Sequence, residues 1–256
     1  MILLIDAGNS LISMGIHNGD TIIKKFSLKT AKIKTKDEFA IFLINLLNLN
    51  KIEMTAIDGV IISSVVPYVN EALIGAIQEY LGVKPIIIEP GIKTGIVLKV
   101  DNPKEVGSDL MADGVCGLVK YGGDCVVVNC GTATKCSVIN KKGEWLGVAI
   151  APGYEIASEA LYHKTATLPH VGFAIPKNLM GKNSAESVAA GLYYGYQGLI
   201  RNLIYETKKQ YGQHLKVILS GGVSTYFESV LRKDVDVIDY NLTLEGLKII
   251  YEKNKA

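Results

Sequence analysis

The chain has 256 residues, of which 48% are apolar and 20% are charged, and its formal net charge is +2. This composition is typical of a well-packed globular protein, and so small a charge speaks against nucleic acid as a partner. No apolar run approaches the roughly 20 residues that span a bilayer, and no signal peptide is apparent, so we expect a cytoplasmic protein that binds no membrane.

The first half of the chain alternates apolar runs of strand length with runs of helical spacing. The second predicted strand is followed by Asn18-Gly19, a hairpin turn in which glycine readily accepts a positive φ. Strands that alternate with helices predict an α/β sheet covered by helices. In chain order, the predicted strands are 2–9, 11–18, 21–28, 58–66 and 85–89, and the predicted helices are 36–49 and 67–80.

The second half repeats this order. Its opening strands again contain a glycine turn, Lys142-Gly143, and a later strand ends at Gly221-Gly222. Because the order and the turns recur together, the sequence predicts two similar α/β halves. The predicted strands are 124–129, 134–140, 145–150 and 215–220, and the predicted helical regions include 157–161, 187–205 and 248–251.

Both halves open with the same short pattern. An apolar strand ends at Asp6 or Asn129, one small residue follows, and then comes Gly8 or Gly131. Two such units facing one another would form a cleft lined by small residues and main-chain N–H groups, which suits phosphate. The repeat therefore predicts a phosphate-binding cleft between the halves.

The four cysteines are close together in the chain but lack the Cys-x-x-Cys spacing of zinc sites. Three of them lie in or beside predicted strands, which favours buried, reduced thiols over a zinc site. They are Cys116, Cys125, Cys130 and Cys136.

The segment Asp6-Ala7-Gly8-Asn9-Ser10 is the first candidate site. An aspartate at a strand end beside a glycine can hold hydrated Mg²⁺, while main-chain N–H groups and Ser10 receive phosphate oxygens. The alternative is a hairpin with a buried, hydrogen-bonded aspartate. The related pattern after Asn129 favours the phosphate site.

The segment Gly131-Thr132-Ala133-Thr134 is the second candidate site. Small residues permit close approach of a triphosphate, and the threonine hydroxyls supply hydrogen-bond donors. Threonine also suits a plain strand, which is the alternative. The position of Gly131, matched to that of Gly8, favours phosphate binding.

Asp109 lies near the start of a predicted helical stretch, after Gly107 and Ser108. An aspartate in that place commonly caps the helix. A nearby glycine also makes a catalytic base plausible. Spacing alone does not decide between the two roles.

Taken in chain order, a series of motifs resembles type III pantothenate kinase, a family of the sugar kinase/Hsp70/actin superfamily. The resemblance covers nearly the full length of the chain, and the probability that all the motifs agree in order by chance is very small. The motifs are Asp6-x-Gly8-Asn9-Ser10, Ser63-Ser64-Val65-Val66-Pro67, Asn102-Pro103 with Gly107-x-Asp109, Gly131-Thr132-Ala133-Thr134, Ile150-Ala151-Pro152-Gly153, Leu161 with Thr165-Ala166-x-Leu168-Pro169, Gly181-x-Asn183-Ser184, and Gly221-Gly222.

This resemblance implies an α/β fold of two similar actin-like (ribonuclease H-like) domains, residues 1–117 and 118–256, with a central nucleotide cleft. It implies ATP-dependent phosphorylation of pantothenate to 4′-phosphopantothenate, the first step of coenzyme A biosynthesis. The implied cofactors are Mg²⁺ and a monovalent cation, K⁺ or NH₄⁺. The implied partners are ATP, pantothenate and a second copy of the chain in a homodimer.

The resemblance also implies roles for individual residues. Asp109 is the implied proton acceptor, Asp6 organises Mg²⁺ through water, and Asn129 stands at the position that holds the monovalent cation. The implied ATP-binding residues are Asp6, Ala7, Gly8, Asn9, Ser10, Leu11, Ile12, Ser13 and Thr132. The implied pantothenate-binding residues are Val100, Gly107, Ser108, Asp109, Leu110 and Ser184, with Ser184 reaching the partner subunit's site.

Four residues depart from the family pattern. Leu110 stands where the family usually has arginine, Val100 where it has tyrosine, Asn129 where it has the cation-holding aspartate, and Ser10 where it has threonine. The first three changes fall on the substrate and cation positions, whereas the ATP side is better kept, since Ser10 is a mild change. Besides an active pantothenate kinase, they leave two alternatives open. One is a weakened or inactive paralogue that serves as a nucleotide-binding subunit or regulator, and the other is a kinase for another small alcohol.

Overall fold

The computed structural model describes residues 1–30 and 35–255 as eleven strands and seven α-helices, with short 3-10 turns and one π-helical segment, Ile77–Leu81, between them. The strands are β1 (Ile2–Ala7), β2 (Leu11–His17), β3 (Ile22–Lys29), β4 (Gly59–Ser64), β5 (Ile86–Ile87), β6 (Val97–Leu98), β7 (Cys125–Cys130), β8 (Ala133–Ile139), β9 (Glu144–Pro152), β10 (Lys216–Ser220) and β11 (Val237–Ile238). The helices are α1 (Lys36–Leu49), α2 (Pro67–Ala76), α3 (Ser108–Tyr121), α4 (Tyr154–Lys164), α5 (Ser184–Tyr211), α6 (Glu228–Leu231) and α7 (Leu242–Asn254).

The chain divides into two compact units. Unit 1 comprises Met1–Ile96, Asp101–Cys116 and Asn241–Ala256, and unit 2 comprises Val97–Val100 and Gly117–Tyr240. The chain passes from unit 1 into the long segment of unit 2 between residues 116 and 117, one residue before the predicted boundary between 117 and 118. The units differ from the predicted continuous halves because residues 241–256 belong to unit 1 and residues 97–100 to unit 2.

Unit 1 is a five-stranded sheet with helices on both faces, in the strand order β3-β2-β1-β4-β5. The first three strands are antiparallel neighbours, whereas β4 runs parallel to β1 and β5 parallel to β4. Alternation along β1 sends Leu3 and Ile5 toward α1 and α2, and Leu4 toward α3 and α7. Both faces of this sheet are therefore buried at its central strand β1.

The last helix belongs to unit 1 because its apolar face completes that core. Leu244, Leu247 and Ile250 of α7 are buried against Leu4 and Ile61 of the sheet. The separation in sequence hides this relation, since the whole of unit 2 lies between α7 and the strands that it covers.

Unit 2 repeats the same topology in the strand order β11-β10-β7-β8-β9, with β6 added beside β9. Val126, Val128 and Cys130 face a core formed with α5 and a group of aromatic side chains. The opposite face carries Cys125 and Val127, against which Gly117 of α3 packs closely. The predicted repeat is thus confirmed, and only the two-residue strands β6 and β11 lay outside the prediction.

The helices begin at residues whose chemistry favours a helix start. Thr35 and Glu38 form a capping box at α1, in which each side chain accepts from the other residue's main-chain N–H. Pro67 occupies the first turn of α2, where its missing N–H costs nothing. Asn183 caps α5 by accepting from the N–H of Glu186 at 2.9 Å. The helix α5 is longer than predicted at both ends.

All four cysteines are free and buried. Burial raises the pKa of the Cys125 and Cys130 thiols to about 12. Both thiols therefore stay protonated at neutral pH, whereas a metal ligand must be a thiolate. Within the described ranges, no group of three or more His, Cys, Asp or Glu residues could hold a metal ion.

No helix among residues 1–30 and 35–255 has both the length and the apolar character that a membrane crossing requires.

Candidate functional site

A short turn in unit 1 joins β1 to β2 at Gly8. Its main chain is held by the N–H of Gly8, which donates to the carbonyl oxygen of Leu11 at 2.9 Å. Thr30, which is fully buried, donates its hydroxyl to the carbonyl of Gly8 at 2.6 Å and its N–H to the carbonyl of Ser10 at 3.1 Å. Asn9 and Ser10 are exposed at the tip. The turn is therefore a fixed main-chain loop with small polar residues facing outward.

Asp6 lies beneath this turn in a row of polar side chains. It is paired in register with Ser63 on β4 and with Ser13 on β2, so the three side chains share one face of the sheet. The Ser63 hydroxyl donates to Asp6 Oδ1 at 2.9 Å and lies 2.9 Å from the hydroxyl of Ser108. Ser63 is fully buried and Asp6 is half-buried. A hydrogen-bonded chain thus connects Asp6 to the first residue of α3.

Asp109 follows Ser108 in the first turn of α3. Its Oδ1 accepts from the N–H of Leu110 at 2.9 Å, and the side chain is half-buried. A Cβ atom at Gly107 would lie 2.6 Å from this Oδ1, so the glycine leaves the space that the carboxylate occupies. The helix N-terminus also favours a negative charge. Asp109 therefore supports the start of the helix. It directly follows Ser108, the last residue of the hydrogen-bonded series that begins at Asp6.

The corresponding turn of unit 2 joins β7 to β8 through Gly131 and Thr132. The N–H of Gly131 donates to the carbonyl of Ala133 at 3.1 Å, and the N–H of Gly153 donates to the carbonyl of Thr132 at 3.1 Å. A Cβ atom at Gly131 would meet nothing closer than 3.8 Å. A Cβ atom at Gly153 would collide with the carbonyl oxygens of both turn residues. The first glycine therefore borders open space, and the second supports the turn from behind.

We expect Gly153→Ala to destabilise the protein by about 2–3 kcal/mol, because the new methyl group must displace the main chain of the turn. Urea unfolding followed by circular dichroism measures this change. Gly222→Ala is the matched control, since a Cβ atom there meets nothing within 4 Å. Equal stability of the two variants would contradict the supporting role of Gly153.

Asn129 ends β7 in the place that Asp6 has in β1. It is paired in register with Ser220 on β10 and with Lys135 on β8, so these side chains also share one face. Asn129 is 9% exposed, and a Cβ atom at Gly221 would lie 2.6 Å from its Oδ1. Gly221 has a φ of +89°, a conformation that favours glycine. A larger residue in place of Gly221 would therefore collide with the amide of Asn129.

Several of the predicted ligand-binding residues have side chains that face the interior. Ala7 and Ile12 are fully buried in the core of unit 1, so any contact with a nucleotide would come from their main chain. Thr134 is fully buried, and its hydroxyl is hydrogen-bonded to the hydroxyl of Tyr196. This hydroxyl is therefore not available to a phosphate, contrary to the sequence-based expectation. Leu11 is 47% exposed, and Ser13 and Thr132 are half-buried.

The predicted substrate residues are distributed over both units. Gly107, Ser108, Asp109 and Leu110 lie together in unit 1, whereas Val100 and Ser184 belong to unit 2. Leu110 is only 5% exposed, and Val100 is half-buried. Ser184 is exposed as the first residue of α5. Leu110 thus occupies an enclosed position, where an introduced arginine would have to bury its charge.

Three residues close to these turns have structural roles that the sequence did not predict. Ser63 was part of a quoted motif, but the register of β1 and β4 is what places it beside Asp6. Thr30 braces the first turn from the end of β3, which no local pattern signals. Lys135 is paired with Asn129, and only the pairing of β7 with β8 reveals it.

Comparison with known proteins agrees with these features. The family model for type III pantothenate kinase matches residues 2–206. The chain is 41% identical over 254 residues to a type III pantothenate kinase of Geobacillus sp., with 99% of this chain and 98% of that protein covered. It is also 41% identical over 257 aligned positions to one from Citrifermentans bemidjiense, with 100% of both chains covered.

Solved structures of lower identity share the fold. A protein described as a Baf family transcriptional activator from Campylobacter jejuni has a TM-score of 0.60 at 19% identity, with 98% of both chains covered. A protein described as a 2-dehydro-3-deoxygalactonokinase from Sinorhizobium meliloti has a TM-score of 0.55 at 12% identity, covering 100% of this chain and 97% of that one. The predicted fold class, an α/β protein with two similar actin-like domains, is confirmed.

Proposed function

The chain belongs to the type III pantothenate kinase family, and we therefore propose that it transfers the γ-phosphoryl group of ATP to pantothenate. The product, 4′-phosphopantothenate, is the first intermediate of coenzyme A biosynthesis. The observation that carries this proposal is the series of hydrogen bonds from Asp6 through Ser63 to Ser108, the residue that precedes Asp109 in the first turn of α3.

Asp109 is the proposed general base. The primary hydroxyl of pantothenate gives its proton to the carboxylate as its oxygen attacks the γ-phosphorus, and the bond to the bridging oxygen of ADP breaks. Because phosphoryl transfer depends mainly on positioning and charge neutralisation, the fixed place of Asp109 matters more than its basicity. Gly107 supports this role by leaving the carboxylate its space.

A kinase of this family acts with a nucleotide-associated divalent metal ion, for which we propose Mg²⁺ near Asp6. When bound, the ion neutralises phosphate charge. The donor set fits Mg²⁺, because a half-buried carboxylate has hydroxyl neighbours in Ser63 and Ser13 on its own face. Mg²⁺ usually keeps several waters and uses one or two carboxylates together with substrate phosphates. A single aspartate therefore suffices.

Phosphate oxygens are proposed to bind at the turns after β1 and after β7, each of which presents main-chain groups and small polar side chains. The proposed ATP-binding residues remain Asp6 to Ser13 and Thr132, with Ala7 and Ile12 acting through the main chain. The proposed pantothenate-binding residues remain Val100, Gly107 to Leu110, and Ser184. Leu110 and Val100 offer this substrate apolar surface in place of the usual polar groups.

An inactive nucleotide-binding subunit and a kinase for another small alcohol were the alternatives. Asp6, Asp109 and both glycine turns are present in the chain, and the two relatives at 41% identity are type III pantothenate kinases, which favours pantothenate kinase activity over these alternatives. The buried position of Leu110 also argues against restoring arginine there as a simple gain of function, because the charge would first have to be desolvated.

The direct test measures ADP formation by the purified protein with Mg²⁺, ATP and pantothenate, and identifies the phosphorylated product by mass spectrometry. A panel of other small primary alcohols is measured in parallel. Turnover that is highest with pantothenate supports the proposal. Turnover with another alcohol alone, or nucleotide binding without any turnover, would contradict it.

A homodimer is proposed through the exposed face of α5. Gly191, Gly195 and Gly198 follow helical spacing on this face, and a Cβ atom at each meets nothing within 4 Å. Tyr194 on the same face is 39% exposed. The interface does not include Tyr196, because that side chain is 5% exposed and packs in the core of unit 2.

We expect light scattering at micromolar concentration to give twice the chain mass of 27.7 kDa. Gly195→Arg should reduce the mass to that of one chain, because a long charged side chain would keep a second helix from approaching. Gln210→Arg, at an exposed position elsewhere on α5, should leave the dimer intact. A wild-type protein with the mass of one chain would contradict the dimer.

A further inference from the structure

The two units carry equivalent rows of polar side chains with opposite charge. In unit 1 the row is Ser63, Asp6 and Ser13, on β4, β1 and β2. In unit 2 the row is Ser220, Asn129 and Lys135, on β10, β7 and β8. The strand order and the parallel pairing are the same in both rows. The first row contains one carboxylate, whereas the second contains an amide and an ammonium group.

Lys135 faces the same side of the sheet as Asn129. Its neighbours in the strand, Thr134 and Cys136, are buried on the opposite side, in the core of unit 2. Directly opposed residues of an antiparallel pair have Cβ atoms about 4.5–5.5 Å apart. The four-carbon stem of lysine lets its ammonium group act close to such a neighbour. Lys135 is half-buried, which limits screening by solvent.

A monovalent cation does not fit this row. Asn129 offers a carbonyl oxygen but no charge, and a Cβ atom at Gly221 would lie only 2.6 Å from that oxygen. A cation placed there would also be repelled by the lysine paired with it. The residues of this chain therefore do not suit the monovalent cation that the family pattern implies at Asn129.

We propose that the ammonium group of Lys135 supplies the positive charge that a monovalent cation supplies elsewhere in the family, so that this enzyme needs neither K⁺ nor NH₄⁺. An ammonium group carries the same charge as K⁺ and donates hydrogen bonds to oxygen. Lys135 also explains why an amide suffices at Asn129, since no free cation has to be held. This inference rests on the proposed kinase function.

The first experiment compares pantothenate phosphorylation in tetramethylammonium, potassium and ammonium chloride at equal ionic strength, with Mg²⁺ present and all other cations removed by dialysis. We expect rates that agree within about twofold, since the chain contains its own cation. Rates that rise about tenfold or more with potassium would overturn the inference while leaving the kinase function intact. Absence of turnover in every salt would instead count against the proposed function.

A second measurement does not depend on turnover. Thallous ion substitutes for K⁺, and its binding to the protein with Mg²⁺ and ADP is followed by thallium NMR. The wild-type protein should show no binding that potassium displaces. The double variant N129D/K135S, which reproduces the pairing of Asp6 with Ser13, should bind thallium and gain activation by potassium. Displaceable thallium binding by the wild-type protein would overturn the inference even if the protein had no turnover.

Single variants distinguish the effect of the Lys135 charge from an effect on the fold. Lys135→Met should lower turnover roughly 10- to 100-fold, and potassium should not restore it, because Asn129 alone cannot hold a cation. Asn129→Asp alone should not create potassium activation, because the new carboxylate would pair with Lys135. Lys142→Met, which removes a charge from an exposed turn of the same unit, is the control. Unchanged turnover in Lys135→Met, with unchanged cation response, would overturn the inference.

Discussion

Replacement of Asp109 by asparagine is expected to lower the turnover number by roughly 10²–10⁴-fold, the usual contribution of a general base. The amide retains an oxygen that can accept from the N–H of Leu110, so α3 should still begin at Ser108. Only the capacity to take a proton is lost. Steady-state kinetics with pantothenate and ATP measure the change, and nucleotide affinity should stay within about twofold of the wild type.

Asp101→Asn is the matched control for this substitution, because it removes an exposed carboxylate that precedes α3. It should leave turnover unchanged. A fully active Asp109→Asn variant would contradict the role as general base and leave Asp109 only its role in supporting the start of α3. Gly107→Ala adds a further comparison, since its methyl group should displace the carboxylate without changing its chemistry.

Gly131→Val is expected to weaken the binding of Mg²⁺-ATP by at least about 100-fold, which corresponds to ~2.7 kcal/mol. A Cβ atom at this position has no neighbour closer than 3.8 Å, so the folded chain has room for it. The added methyl groups would project into the space proposed for phosphate. Isothermal titration calorimetry of the nucleotide measures the loss.

Thermal unfolding distinguishes this effect from damage to the fold. The melting temperature of Gly131→Val should stay close to that of the wild type, whereas Gly153→Ala should lower it, because only the second substitution collides with the main chain. Unchanged nucleotide affinity in a stable Gly131→Val variant would contradict the placement of phosphate at this turn.

Local patterns in the sequence predicted most of the strands and helices. The runs that became β1, β2, β7 and β8 have the length and apolar character of buried strands, and the turns that follow them contain glycine. Because the same order occurs twice, each half supported the prediction for the other. The position of Asp6 at the end of a strand could be predicted on this basis.

Features that depend on pairing between distant segments could not be predicted in this way. The chain of hydrogen bonds through Ser63 depends on the parallel register of β1 with β4. The pairing of Lys135 with Asn129 depends on the antiparallel register of β7 with β8. A shift of one residue in either register would turn these side chains to the opposite face, and no local pattern specifies it. The burial of Leu110 is likewise a property of the packed structure.

The discontinuity of unit 1 has a consequence for biosynthesis. Strand β1 leaves the ribosome before unit 2, yet Leu4 and Ile61 are covered completely only when α7 is made, after the whole of unit 2. Domains commonly fold during synthesis as soon as their segments are complete. Unit 2 therefore has all its strands before unit 1 is closed. Meanwhile the nascent chain carries an uncovered apolar sheet face, the kind of surface that chaperones bind.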